Sequence, residues 1–192
     1  MRVGVLALQG AFREHVAMVR DLGLEAVEVR LPGQLDGCGA LIMPGGESTA
    51  IGKLMEKYGF YGAIPAAHDR GMALWGTCAG AILLSEEILD AVEGQRPLGL
   101  IGVRVRRNAF GRQVDSFEAP LDIAGLVGGP FAGVFIRAPW IENVREGVEV
   151  LAEFGGHTVA ARQGRVMVTS FHPELTDDPR LHEFFLRTVA AE

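Results

Sequence analysis

Met72-Ala73-Leu74-Trp75-Gly76-Thr77-Cys78-Ala79-Gly80-Ala81-Ile82-Leu83-Leu84 is the stretch whose reading decides the fold. Its apolar start reads as the end of a buried strand and its small-residue end as the start of a helix, so the chain turns sharply at Cys78. Gly76 and Gly80 flank the cysteine and permit tight backbone there, as in the elbows that raise a serine nucleophile above a sheet. Free N–H groups and the dipole at a helix start favour a thiolate, which makes Cys78 the candidate nucleophile. Taken alone, it reads equally well as an inert buried thiol; a partner histidine decides between the two.

Working outward, Val3 to Leu8 is a nearly continuous apolar run, the pattern of a strand covered on both faces. A helix follows it with Phe12, Val16 and Val19 on one face, Arg13, Glu14 and Arg20 towards water, and Gly23 as the stop. Glu25 to Arg30 is a second strand, and Pro32-Gly33 turns out of it. Ala40 to Met43 is a third, broken at Pro44-Gly45-Gly46 before a helix carrying Ile51, Leu54 and Met55 that Ser48 or Thr49 can cap. A further helix over Tyr58 to Arg70 leads into the Cys78 strand.

This β-α order implies a mainly parallel sheet with helices on both faces. Leu100 to Asn108, Arg112 to Glu118 and Pro130 to Ala138 are strand-like without helical periodicity and read as an antiparallel extension. Val148 to Phe154 and His157 to Arg162 pair about Gly155-Gly156, Arg165 to Phe171 is another apolar strand, and Leu181, Phe184, Phe185 and Thr188 mark a closing helix. The fold class expected is therefore three-layer α/β with an antiparallel extension, in one domain over residues 1–192.

Composition agrees, since 192 residues with 48% hydrophobic and 22% charged can bury one sizeable core. The net charge of -6 gives no footprint for nucleic acid or an anionic membrane surface. Cys38 and Cys78 are the only cysteines, too few for a disulfide framework, and no apolar run suits a signal peptide or a membrane span. The chain is expected to be soluble and cytoplasmic.

The strand Val166 to Phe171 delivers His172-Pro173-Glu174 at its C-terminal end, where open α/β sheets place their sites. Pro173 keeps His172 extended, and residues two apart then project to one side, so Glu174 can orient the imidazole. Cys78 and His172 both follow parallel strands and reach the same rim. That arrangement suits thiol attack with histidine as acid and base. Pro44-Gly45-Gly46 ends a neighbouring strand, so Gly45 and Gly46, with the N–H of Ala79, can serve an oxyanion.

No Gly-x-Gly-x-x-Gly or Walker sequence is present, and no cofactor or metal is called for. His15, His68, His157 and His182 show no ligand spacing and read as surface or capping residues. Cys38, with no base nearby, reads as structural.

These pieces resemble the class I, triad-type glutamine amidotransferases, whose fold is flavodoxin-like. Leu6 to His15, Pro44 to Thr49, Gly76 to Gly80, Arg107 to Gln113, Phe135 to Pro139 and Phe171 to Leu175 are similar to the motifs of the glutaminase subunits of pyridoxal 5′-phosphate synthases, in the same order. The resemblance implies hydrolysis of L-glutamine through a thioester on Cys78, with His172 as acid/base and Glu174 orienting it. It also implies ammonia delivery to a synthase subunit in a large hetero-oligomer. Gly46, Glu47, Ser48, Arg107, Ile136 and Arg137 would hold glutamine.

Glu47 suits the α-ammonium, and either Arg107 or Arg137 the α-carboxylate. Arg104 and Arg106 share a strand face and would meet solvent or the partner. Gln9 and Gly10, at the same rim, read as a partner interface or as a plain strand-to-helix turn. Two other readings of the chain are a free-standing hydrolase of γ-glutamyl compounds and a flavodoxin-like binding module with an inert Cys78.

Overall fold

The computed structural model describes residues 1–107 and 116–191. From the N-terminus run β1 (Arg2–Leu6), α1 (Phe12–Asp21), β2 (Glu25–Val29), β3 (Ala40–Met43), α2 (Ser48–Tyr58), α3 (Phe60–Asp69), β4 (Ala73–Thr77) and α4 (Ala79–Leu84). A strand-rich middle follows: β5 (Ser85–Ile88), β6 (Ile101–Arg106), β7 (Ser116–Leu121), β8 (Phe131–Ile136), β9 (Trp140–Val144), β10 (Glu149–Phe154), β11 (His157–Gln163) and β12 (Val166–Thr169). The chain closes on α5 (Arg180–Phe184), which a π-turn over Phe185–Val189 prolongs.

The main sheet has the order β2-β1-β3-β4-β12-β11-β9-β6-β5. Pairing is parallel from β2 through β12 and antiparallel from β12 through β6, with β5 parallel to β6 at the edge. β10 pairs with β11, and β7 with β8 forms a separate antiparallel ribbon. This is the mainly parallel α/β sheet with an antiparallel extension that the sequence implies.

Every residue of β3, β4 and β12 is buried, as expected of parallel strands covered on both faces. Successive residues serve opposite layers. Trp75 packs with Val16, Val19, Phe171 and Phe185 on the α1/α5 side, while Leu74 packs with Ile51, Met55, Phe60 and Ile64 on the α2/α3 side. Fully buried side chains such as Leu41 on β3 and Phe60 on α3 each contribute about 1.5–3 kcal/mol, which fixes the central strands against the helices that cover them.

Some local expectations are corrected. The cap of α2 is Glu47, whose carboxylate accepts from the N–H groups of Thr49 and Ala50, because a carboxylate meets the helix dipole better than the Ser48 or Thr49 hydroxyl. β5 and β9 have no counterpart in the sequence reading: Ser85-Glu86-Glu87-Ile88 is short and polar, and β9 carries Glu142 and Asn143. β7 runs on to Leu121, while the part of that strand expected at Arg112 to Asp115 lies outside the described residues, as does the motif from Asn108 to Gln113. Among the described residues no helix is long and apolar enough to cross a membrane.

Candidate active site

β4 lies between β3 and β12, with Gly76 opposite both Met43 and Val168 and Thr77 opposite Thr169. The segments after these three strands therefore leave the sheet on one rim. At the end of β4, Cys78 adopts φ 48 and ψ -102, a conformation that non-glycine residues rarely hold. Such backbone costs of order 1–3 kcal/mol and persists only where its surroundings fix it. Here the Cys78 N–H donates to the Thr169 carbonyl at 2.8 Å, and the Cys78 carbonyl accepts from the Ile82 N–H at 3.2 Å.

The flanking glycines are a steric requirement. A Cβ at Gly76 would lie 2.5 Å from the Gly80 carbonyl, and one at Gly80 would lie 2.0 Å from the Met43 carbonyl oxygen.

His172 stands after β12, held by its N–H to the Val134 carbonyl at 2.8 Å. Its Nδ1 meets Glu174 Oε1 at 2.8 Å. Burial disfavours a charged His172, yet hydrogen bonds with Cys78 and Glu174 outweigh it and push the imidazole up to about 10. Cys78, His172 and Glu174 are all buried, so this constellation is shielded from bulk water. Gly45 backs it closely: a Cβ there would lie 2.3 Å from His172 Cε1 and 3.3 Å from Cys78 Cβ.

Cys78, Ala79 and His172 line a cavity of ≈ 350 Å³. Gly46, Glu47, Ser48, Arg107, Ile136 and Arg137, the residues expected to hold glutamine, line the same cavity. Arg137 is exposed at its edge with φ 41, the other non-glycine residue among those described with positive φ. Although its partial burial works the other way, hydrogen bonds from Thr49 and Ala50 and the charge of Arg107 hold the Glu47 carboxyl below the usual range. Glu47 thus caps α2 and faces the cavity at once, since a carboxylate has lone pairs for both.

Gly45 and Gly10 are absent from the lining. The Gly45 carbonyl instead accepts from the Ala11 N–H at 3.0 Å, against Gly10. Gln9 does reach the cavity, where its Oε1 accepts from the Glu47 N–H at 2.8 Å.

Sequence reasoning missed Gln95. Its Oε1 accepts from Arg107 Nη1 at 2.6 Å, and its Nε2 donates to Ser48 Oγ at 2.9 Å, which fixes two cavity residues against each other. No periodic or motif signal marks it in the turn-rich segment after β5. Losing this brace leaves Arg107 free to rotate, so Gln95→Ala is expected to raise KM for glutamine about 3–10-fold with kcat within about twofold. Steady-state kinetics check the split.

The reading of His15 and His182 as surface or capping residues is overturned. Both are fully buried, on the inner faces of α1 and α5, with His15 Nδ1 2.8 Å from His182 Nε2. His15 Nε2 lies 3.4 Å from Glu174 Oε2 and 3.3 Å from Thr77 Oγ1. The helical signal was there, because His15 lies three residues after Phe12 and four before Val19, and His182 three before Phe185 and four before Leu186, spacings that share one helix face.

Burial pushes His182 from 6.5 down to about 3, and burial with the nearby His182 and His172 pushes His15 well below its ordinary value. Between pH 6.5 and 3 the unfolded chain therefore binds a proton at His182 that the folded chain refuses, and stability falls as pH falls through that window. The thermal midpoint is expected to drop already between pH 6.5 and about 5, above the main carboxylate range, and His182→Gln is expected to flatten that slope. Scanning calorimetry at stepped pH tests it.

The model of the SNO glutamine amidotransferase family matches residues 5–191. The chain is 58% identical over 185 residues to the pyridoxal 5′-phosphate synthase subunit PdxT of Thermus thermophilus, covering 96% of this chain and 95% of that one. It is 52% identical over 196 residues to the protein of that name from Acidothermus cellulolyticus, covering 100% and 95%. A crystal structure described as a glutamine amidotransferase superposes with TM-score 0.93 at 54% identity over 100% of both chains. The structure of PurLQS from Thermotoga maritima, at TM-score 0.72 and 18% identity over 97% of each chain, shares the fold. With a family match over nearly its whole length and relatives above half identity, the chain belongs to the SNO glutamine amidotransferase family.

Proposed function

We propose that this chain is, as a single domain, the glutaminase subunit of a pyridoxal 5′-phosphate synthase, hydrolysing L-glutamine to L-glutamate and ammonia for a synthase subunit. The observation that carries this is one cavity that joins a hydrogen-bonded Cys78–His172–Glu174 set to a carboxylate and two arginines. Glutamine is a small zwitterion with a side-chain amide, and such a cavity matches all three of its groups.

In this mechanism Glu47 receives the α-ammonium, while Arg107 and Arg137 share the α-carboxylate. His172 takes the Cys78 proton, and the thiolate attacks the side-chain carbonyl carbon. The N–H groups of Gly46 and Ala79, with Gly45 shaping the peptide between them and His172, hold the developing oxyanion. As the tetrahedral species collapses, the C–N bond breaks and His172 protonates the leaving amine, giving ammonia and the thioester. Water, deprotonated by His172, then breaks the C–S bond and releases glutamate. Glu174 keeps the imidazole in the right tautomer throughout.

Ammonia is useful only if captured, which suits an assembly of many copies of both subunits in the cytoplasm. Gln9 and Gly10 form part of the docking surface. The bond from Ala11 N–H to the Gly45 carbonyl ties the oxyanion peptide to that same loop, so docking reaches the hole through it. Glutamate release is accordingly expected to rise at least about tenfold when the synthase subunit is added, an effect the size of a modest coupling free energy. Equal rates with and without it would remove the docking link, and no release under either condition would remove the glutaminase reading.

A further inference from the structure

The Cys78–His172–Glu174 mechanism uses one oxygen of Glu174. The other, Oε2, is buried, makes no hydrogen bond among the described residues, and faces His15 Nε2 at 3.4 Å. A carboxylate oxygen in that position is costly unless a donor serves it. His15 on α1 faces this oxygen, and His15 is itself held from two further elements, by Thr77 at the end of β4 and by His182 on α5.

The proton positions follow from the partners. Both imidazoles are neutral, because burial keeps them so. If His15 carried its proton on Nδ1, the bare Nε2 would face a carboxylate, lone pair against lone pair. His182 would then hold its proton on Nδ1, which is buried without a partner. The opposite assignment strands no N–H: His182 Nε2–H donates to His15 Nδ1, His15 Nε2–H lies between Thr77 Oγ1 at 3.3 Å and Glu174 Oε2 at 3.4 Å, and the unpartnered His182 Nδ1 is only a lone pair. The bond from His182 polarises the His15 N–H towards Glu174, and the carboxylate is approached by donors from both sides, His15 at Oε2 and His172 Nδ1 at Oε1.

We propose that His15, backed by His182, is a positioning residue for the hydrolysis: it donates to the second oxygen of Glu174 and fixes the carboxylate's rotation under His172. Because the same Nε2 lies 3.3 Å from Thr77 Oγ1, His15 also ties this carboxylate to the strand end that carries the nucleophile. The inference rests on Cys78, His172 and Glu174 acting as set out above.

His15 is outside the cavity, so its loss is felt in the reacting groups and not in substrate binding. His15→Leu is expected to lower kcat about 10–100-fold with KM within about twofold, the size of effect typical when a supporting hydrogen bond to an active group is removed. A misaligned Glu174 also supports the charged imidazole less, so the alkaline limb of the kcat/KM profile moves to lower pH. A merely structural role for His15 would change the fraction of active protein and leave that limb in place.

A pair of amides makes the test independent of folding in the leucine variant. The Nε2 of a glutamine overlays the imidazole Nε2 and can still donate to Glu174, whereas the amide of an asparagine reaches only the Nδ1 position. With synthase subunit present, His15→Gln is expected to keep kcat within about threefold of the wild type, and His15→Asn to lose 10–100-fold. Equal activity of the two amides, or a folded His15→Leu with wild-type kcat and wild-type alkaline limb, would overturn the proposal. Cys78→Ala run alongside separates the levels: if it remained active, the glutaminase mechanism would be at fault, whatever the His15 variants did.

Discussion

Cys78→Ala is expected to bind glutamine and fail to hydrolyse it, with glutamate release in the presence of the synthase subunit lower by about four orders of magnitude or more. The sulfur is the cavity nucleophile hydrogen-bonded to His172, and removing a nucleophile from a cooperating set costs nearly the whole catalytic gain. The fold should survive, since alanine meets the same φ of 48 with the same Cβ and leaves a space no larger than one atom. Cys78→Ser is expected to be equally inert, because an alcohol at this site is a far weaker nucleophile than a thiolate. Wild-type rates in Cys78→Ala would dismiss the mechanism outright.

His172→Gln carries the second largest effect. His172 is asked to move protons in both halves of the reaction, and each positioned proton transfer is worth about 10²–10⁴-fold. The glutamine side chain can keep a bond to Glu174 but neither takes a proton from Cys78 nor gives one to the amine. We expect kcat to fall about 10³–10⁴-fold with KM within about threefold. Pre-steady-state ammonia release should vanish along with glutamate release, because acylation itself needs the base. A normal ammonia burst followed by slow glutamate release would restrict His172 to deacylation.

The sheet and the convergence of Cys78, His172 and Glu174 on one rim were legible because their signals are local. Cys78 follows an apolar strand and opens a helix within a few residues, and His172-Pro173-Glu174 sits directly after another strand, so position and chemistry could be read together. Gly45 and Gly46 were legible for the same reason. Their different placements were not, since only the packed structure shows Gly45 bonded to Ala11 and pressed against His172.

What the sequence concealed depends on pairs far apart along the chain. His15 and His182 are 167 residues apart and acquire their meaning only when α1 and α5 pack on the same face of β4. Gln95 lies in a turn with no periodicity, and its value comes from bridging Ser48 and Arg107. Glu47 shows competition between readings of one residue, where capping α2 and lining the cavity share a single carboxylate. β5 and β9 were missed because polar edge strands take their conformation from the neighbours they pair with, not from their own side chains.

The most direct test of the central claim is to quench the protein during turnover of glutamine, with synthase subunit present, and locate any covalent product by peptide mass spectrometry. A glutamyl group on the peptide carrying Cys78, absent from Cys78→Ala and discharged to glutamate on further incubation, is the result expected. Sustained glutamate release with Cys78 unmodified at every time point, or with the acyl group on another residue, would contradict it.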